Sequence, residues 1–398
     1  MDTDRPARIL PVIVLSQFAG TSLWFAGNAI LPDLQRELGL GAGGMDAGAL
    51  GAITSAVQLG FIAGTLAFAV LNVSDRFSPR AVFLACSLLG AAANGAVALA
   101  GSLAEPYAAI LALRFATGFF LAGIYPVGMK IASGWYREGL GNALGFLVGA
   151  LVLGTAFPHI LKGLGAALPW RTVVASLSAI AVAGGLLMYA LVPDGPHLAR
   201  GARFDPRALG SIFASPDLRA SALGYFGHMW ELYTFWALVP LMIAGYAAQG
   251  GGLDVNVGAW SFAVIAAGAI GCVSGGLLSR RVGSARIAFA QLSGSGICCL
   301  ASPLAYLLPW PFFAAFLVAW GVLVVGDSPQ FSALTAATAP RDRVGSALTL
   351  VNCIGFALTV ASVELAVTLA RWLPLAWWFV PVAIGPALGL VAFRRMLR

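Results

Sequence analysis

Apolar residues fill this chain in long stretches separated by short polar breaks. Twelve stretches stand out, near residues 9–32, 47–72, 78–102, 106–130, 139–161, 170–193, 217–245, 256–279, 284–307, 311–336, 343–369 and 374–395. A helix that crosses the roughly 30 Å hydrocarbon core of a bilayer needs about 20 mostly apolar residues, and each stretch is long enough. Helix is the predicted form, because in lipid every backbone polar group must be satisfied within its own segment. A barrel would show short alternating strands, and runs such as 81–100 do not alternate. The predicted fold class is all-α integral membrane.

The polar breaks repeat. Gly123-Ile124-Tyr125-Pro126 and the following Arg137-Glu138-Gly139-Leu140-Gly141-Asn142-Ala143-Leu144 return as Gly326-Asp327-Ser328-Pro329 and Arg341-Asp342-Arg343-Val344-Gly345-Ser346-Ala347-Leu348. The offsets are 203 and 204, and Asp75-Arg76-Phe77-Ser78 meets Arg280-Arg281-Val282-Gly283 at 205. The chain therefore reads as two homologous six-helix halves, 1–193 and 217–398. A basic, proline-broken linker joins them over 194–216, with room for one amphipathic turn at 208–214. Six spans is an even number, so the halves enter the membrane in the same sense and form parallel repeats, a common transporter design.

Composition agrees. The chain is 60% hydrophobic and 10% charged, against about a quarter charged in soluble domains. The net charge of +7 invites a nucleic-acid partner, but position argues for topology instead. Cytoplasmic loops of membrane proteins carry the excess of Lys and Arg. With the amino terminus inside, eighteen of the 23 Lys and Arg residues fall on inside segments, Arg5, Arg200, Arg203 and Arg398 among them. Arg36, Lys162, Arg171 and Arg371 fall outside, and Arg114 lies within the membrane. Both termini are expected in the cytoplasm, in a multi-pass protein of the inner (plasma) membrane. The first stretch is too long for a signal-peptide core and has no small-residue cleavage site after it. The five cysteines lie inside predicted helices with no CxxC and no His/Cys cluster, which predicts helix packing rather than metal or redox chemistry.

The chain resembles the major facilitator superfamily over its whole length. The loop Leu71-Asn72-Val73-Ser74-Asp75-Arg76-Phe77-Ser78-Pro79-Arg80 looks like that family's Gly-x-x-x-Asp-Arg-x-Gly-x-Arg motif, with Leu71 and Ser78 in place of glycines. The resemblance implies that Asp75, with Arg76 and Arg80, latches the halves together on the cytoplasmic side. Arg114-Phe115-Ala116-Thr117-Gly118 looks like the family's Arg-x-x-x-Gly signature. The fifth stretch has Gly141, Gly145, Gly149 and Gly154, a small-residue stripe for close helix contact. It lacks the Gly-Pro pair that marks the family's drug/proton antiporters, which points away from drug efflux. The resemblance also implies that helices one, four, seven and ten line a central cavity, and that one chain acts as a monomer.

Ionisable residues deep in a span cost about 2.5–3.5 kcal/mol or more and are functional candidates by default. Glu231 lies mid-way along the seventh stretch with His228 three residues earlier, on a shared face. That pairing suits a proton carrier. Asp327 stands beside Pro329, where a backbone carbonyl is freed. Arg114 can bind an anionic group or pair with a carboxylate across the halves. Asn28 and Trp24 fall on the first stretch, and Tyr125, Trp230 and Tyr233 offer walls for a substrate. Glu364 sits toward the outer end of its stretch and is left out of the site.

These residues predict a secondary transporter of a small organic solute that works by alternating access and is coupled to protons. Arg114 tips the expected substrate toward an organic anion or metabolite. Efflux of cationic, drug-like compounds is the runner-up, and a transporter-like sensor is a distant third because the loops are short. No HExxH, GxSxG or phosphate-loop motif is present, so neither an enzyme nor an ATP-driven pump is expected, and no cofactor, metal or nucleic acid.

Overall fold

The computed structural model describes residues 6–38, 47–136, 140–164, 168–198, 204–249 and 252–397. Arg137, Glu138 and Gly139 of the repeated motif lie outside these, as do Arg5, Arg200, Arg203 and Arg398. The described residues form helices and turns with no strand. Twelve helices span the membrane: helix 1 Ile9–Leu38, helix 2 Ala47–Val70, helix 3 Pro79–Ser102, helix 4 Pro106–Trp135, helix 5 Leu140–Leu164, helix 6 Trp170–Leu191, helix 7 Pro216–Gln249, helix 8 Val257–Val282, helix 9 Ser284–Ala305, helix 10 Trp310–Thr338, helix 11 Val344–Leu369 and helix 12 Leu375–Leu397. The predicted amphipathic turn of the linker is a short helix, Ala208–Ala214.

Helices 1, 4, 7 and 10 are the four longest, and three of them are interrupted. Helix 1 breaks at Ser22–Phe25, helix 4 at Ala122–Ile124 and helix 10 at Asp327. The repeated Gly-x-x-Pro motif explains two of the breaks. Proline has no N–H and its ring clashes with the preceding turn, so it ends one helix and suits the first turn of the next. Tyr125-Pro126 and Ser328-Pro329 each open the second piece. In helix 10 the carbonyl that Pro329 leaves free, that of Val325, accepts the thiol of Cys272 on helix 8 at 3.5 Å.

Glycine sets the closest helix approaches. A Cβ on Gly118 of helix 4 would stand 1.9 Å from the Val57 carbonyl oxygen of helix 2, and one on Gly60 would stand 2.0 Å from the Phe115 carbonyl oxygen. The two backbones touch, which supplies the packing energy that lipid cannot. Gly118→Val is expected to prevent folding or lower thermal stability sharply, since even moderate overpacking costs about 1–3 kcal/mol and here the obstacle is backbone. Yield and melting temperature of the purified variant check this.

The two bundles meet along helix 5 against helix 8 and along helix 2 against helix 11. Among the described residues, three hydrogen bonds run directly between helices of different bundles. Ser55 Oγ donates to Glu364 Oε1 at 3.0 Å, Thr359 donates to Gln58 Oε1, and Asn256 Nδ2 donates to the Gly163 carbonyl at 2.9 Å. All lie from mid-helix to the face away from the chain termini. On the terminus side the linker makes the ties: Arg343 Nε lies 2.9 Å from Asp205 Oδ2, and the Asp205 N–H donates to Ser346 Oγ at 2.9 Å. This conformation is closed on the face away from the termini.

Candidate functional site

The centre of the molecule holds three fully buried ionisable clusters, one on each of helices 4, 7 and 10. Arg114 of helix 4 is 0% exposed. Its Nη2 donates to the carbonyls of Leu23 at 2.8 Å and Trp24 at 2.6 Å, and its Nη1 donates to Asn94 Oδ1 of helix 3 at 2.9 Å. The first two acceptors are backbone groups in the helix 1 break. Asn94 in turn donates to Ser178 Oγ of helix 6 at 3.0 Å. Room for the guanidinium comes from Gly27, where a Cβ would stand 3.0 Å from Arg114 Nε. In this conformation the partners of its Nη groups are uncharged groups of its own bundle rather than a carboxylate across the halves, and its Nε is buried without a partner. Three acceptors of its own bundle take donors from its two Nη groups, and two of them are carbonyls that a broken helix in lipid must have satisfied.

Glu231 of helix 7 is also 0% exposed. Trp320 Nε1 of helix 10 donates to its Oε1 at 2.7 Å, and Ser295 Oγ of helix 9 donates to its Oε2 at 2.9 Å. At an offset of 204, Glu231 falls on Gly27. The first bundle thus leaves a gap on helix 1 and fills it with a guanidinium from helix 4, whereas the second places a carboxyl group on helix 7 and gives it neutral donors. The expected Glu231–His228 partnership is not the one formed. Three residues turn a helix about 300°, so the two side chains diverge by about 60°, and the donors of helices 9 and 10 hold Glu231 inside its own bundle. Glu231→Gln is expected to cost about 1–3 kcal/mol, since one oxygen acceptor becomes a donor facing Trp320 or Ser295. The variant should still respond to a pH gradient, and transport assays beside a melting curve check both.

His228 instead meets Asp327. Its Nδ1 lies 2.7 Å from Asp327 Oδ1, and the side chains are 1% and 0% exposed. Asp327 sits at the helix 10 break, in the place that Ile124 occupies in the first half at an offset of 203. His228 Nε2 and both Asp327 oxygens are buried without a well-formed side-chain hydrogen bond. Tyr225, one turn before His228, donates its hydroxyl to Asn352 Oδ1 of helix 11 at 2.7 Å, and its ring centroid lies 5.7 Å from that of His228. Tyr125, Tyr225 and Tyr233 lie near one another, and Tyr225 lies near Asp327.

On the far side of this group an aromatic cluster joins the bundles. Trp24 of helix 1 stacks on Phe356 of helix 11, with centroids 5.6 Å apart, and lies 4.9 Å from Phe61 of helix 2 and 5.8 Å from Tyr233 of helix 7. The Trp24 Nε1 is buried without a partner. Asn28 donates to Thr54 Oγ1 at 2.7 Å and braces helix 1 against helix 2. Trp230 packs against helix 12, where a Cβ on Gly385 would stand 2.4 Å from its ring. It is a bundle-packing residue, not a cavity wall.

Of the expected latch residues, Asp75 pairs with Lys130 Nζ of helix 4 at 2.5 Å. Arg80 donates to the Tyr189 carbonyl at 3.3 Å, and Arg76 is exposed. The partners of Asp75 and Arg80 named here belong to the first bundle, so in this conformation these contacts do not join the halves. Sequence reasoning passed over Asn94, Tyr225, Ser295, Trp320, Gln58 and Asn352. The amides among them carry a usable signal, since polar side chains within spans act as glue between helices.

Two repeated six-helix bundles, broken helices and buried ionisable clusters at the bundle centres define a membrane transporter of the secondary class. The family model of the Major Facilitator Superfamily matches residues 13–363, and the chain belongs to that superfamily. It is similar to the crystal structure of the human organic anion transporter MFSD10 (TETRAN), at 17% identity over 98% of this chain and 100% of that one, with a TM-score of 0.68. It is also similar to the proton:xylose symporter XylE bound to 6-bromo-6-deoxy-D-glucose, at 12% identity over 99% and 97%, with a TM-score of 0.76. At these identities the likeness is one of fold. No curated protein is a significant match to the sequence.

Proposed function

We propose that this chain is a proton-coupled secondary transporter of a small organic solute, with Asp327 and His228 as the proton site. The observation that carries the reading is their contact: a carboxyl group and an imidazole 2.7 Å apart, both buried between helices 7 and 10 at the helix 10 break. A carboxylate–imidazole pair can hold or release one proton as its surroundings change, and rocking of the bundles exposes it to one face at a time. Glu231 lacks such freedom because donors hold both of its oxygens. The face away from the termini is closed here. With the termini in the cytoplasm of an inner-membrane protein, as the Arg distribution supports, this is a state closed toward the outside. The Asp75 loop then engages the second bundle only in the opposite state, when the terminus-side face closes. One chain holds both halves, so a monomer carries a complete path.

The test uses the purified protein in liposomes and a labelled ligand found by thermal stabilisation, which reports any compound that binds the folded state alone. An imposed pH gradient is expected to drive a concentration difference that a protonophore abolishes. Accumulation indifferent to both would overturn the reading.

A further inference from the structure

The seam between helices 5 and 8 is a wedge. Away from the termini the two backbones touch: a Cβ on Gly163 would stand 2.6 Å from the Ala259 nitrogen, and one on Gly258 would stand 2.7 Å from the His159 carbonyl oxygen. Half-way along, a Cβ on Gly149 would meet Val273 at 3.7 Å and Ala269 at 3.8 Å. On the terminus side a Cβ on Gly141 or Gly276 would meet nothing within 4 Å. Where the helices begin to part, helix 1 joins them around a cavity of about 340 Å³, whose lining is wholly apolar and includes Leu15, Phe18, Phe146, Gly149, Ala269 and Val273. It straddles both bundles, since helices 1 and 5 belong to the first and helix 8 to the second.

The cavity faces the bilayer. Phe146, Leu153 and Leu164 are exposed along one face of helix 5, with Leu15 of helix 1 and Leu277 of helix 8 exposed beside them. A cavity without polar groups offers water no partner, so at this depth an acyl chain fills it. Toward the termini the groove continues between Asn142 and Gly145 of helix 5 and Gly276 and Leu277 of helix 8. Arg280 and Arg281 stand one turn beyond Gly276 and Leu277 on the same helix. Both are exposed and have no partner among the described residues. The first half has Asp75 where Arg280 stands, and Asp75 pairs with Lys130. In the second half, residues 280–286 hold three arginines and no acid, which leaves their charge for a partner outside the chain. Basic groups at the cytoplasmic ends of spanning helices attract anionic headgroups. We infer that an anionic phospholipid of the terminus-side leaflet occupies this groove, its acyl chain lying over helix 5 between helices 1 and 8 and its phosphate against Arg280 and Arg281. Closing the terminus-side face would bring Gly141 and Gly276 together, as Gly163 and Gly258 touch now, and would expel the chain. The bound lipid therefore favours the conformation seen here over the opposite one, because it binds that conformation better.

The test uses the full-length protein in phosphatidylcholine nanodiscs. Phosphatidylglycerol and phosphatidylcholine of equal chain length, each with a photoactivatable diazirine in one acyl chain, are added in turn and crosslinked. Peptides of helices 1, 5 and 8 are expected to capture the phosphatidylglycerol at least about tenfold more than the phosphatidylcholine. Arg280→Gln with Arg281→Gln should bring the two lipids level, in a protein that melts like wild type. The conformation is read as the distance between spin labels on Ser133→Cys and Ala337→Cys, exposed sites at the terminus-side ends of helices 4 and 10; the native cysteines are all buried. Phosphatidylglycerol should raise the share of the longer distance over that in phosphatidylcholine alone. Gly276→Leu puts a side chain where nothing obstructs it in this conformation, and should hold the longer distance in either lipid. Equal capture of the two lipids by wild type would mean that the groove holds bulk lipid only, and overturns the site without any variant. Selective capture with distances that ignore the lipid overturns its hold on the conformation.

Discussion

Replacing Arg114 with alanine is expected to destabilise the protein by about 3 kcal/mol or more, equally with and without bound ligand. The guanidinium satisfies two carbonyls at the helix 1 break and the Asn94 amide oxygen. Its removal leaves three buried acceptors without donors, in a region that water does not reach. Arg114→Lys should recover only part of the loss, because an ammonium offers its three donors from one nitrogen and cannot span acceptors that Arg114 reaches from two. A melting series of wild type, Arg114→Lys and Arg114→Ala, each with and without ligand, separates the roles. A structural role lowers every melting temperature and leaves the ligand-induced rise intact. A variant that melts like wild type and loses only the ligand-induced rise would return Arg114 to the substrate site.

The second large effect is in coupling. Asp327→Asn keeps the size of the side chain and an oxygen facing His228, yet it can no longer take up a proton. At saturating ligand, exchange of labelled for unlabelled substrate across the membrane should persist, because the bundles still rock. Net accumulation should vanish. One proton moving down a gradient of two pH units supports a concentration ratio of up to about 100, and in Asp327→Asn the ratio should fall to about one. Loss of exchange and accumulation together, in a variant that still melts cooperatively, would mean that Asp327 holds the structure rather than the proton.

Much of the fold is written in the chain. Twelve apolar stretches become twelve helices because lipid admits no other solution for the backbone, and the repeated Gly-x-x-Pro motif marks the breaks in helices 4 and 10. The break in helix 1 has no proline to announce it; it exists where Gly27 makes room for a guanidinium from helix 4. The ionisable residues of the site were legible as residues, since charge within a span is conspicuous. Their partners were not. His228 and Glu231 are neighbours in sequence, but helical pitch turns them apart and tertiary packing pairs them with Asp327 and with Trp320 and Ser295. The partners of Arg114 were hidden in the same way: a sequence shows that it is charged, and only the packing shows that its Nη donors meet Leu23, Trp24 and Asn94. Trp230 looked like a cavity wall until its face proved to rest on Gly385.

The most direct test measures protons during binding. Ligand is added to purified protein in weakly buffered solution containing a pH indicator. Binding and protonation that share one group are reciprocally linked, so wild type should exchange about one proton per ligand bound near neutral pH, and Asp327→Asn should exchange none. The same proton exchange in both proteins, or none in either, would contradict the account.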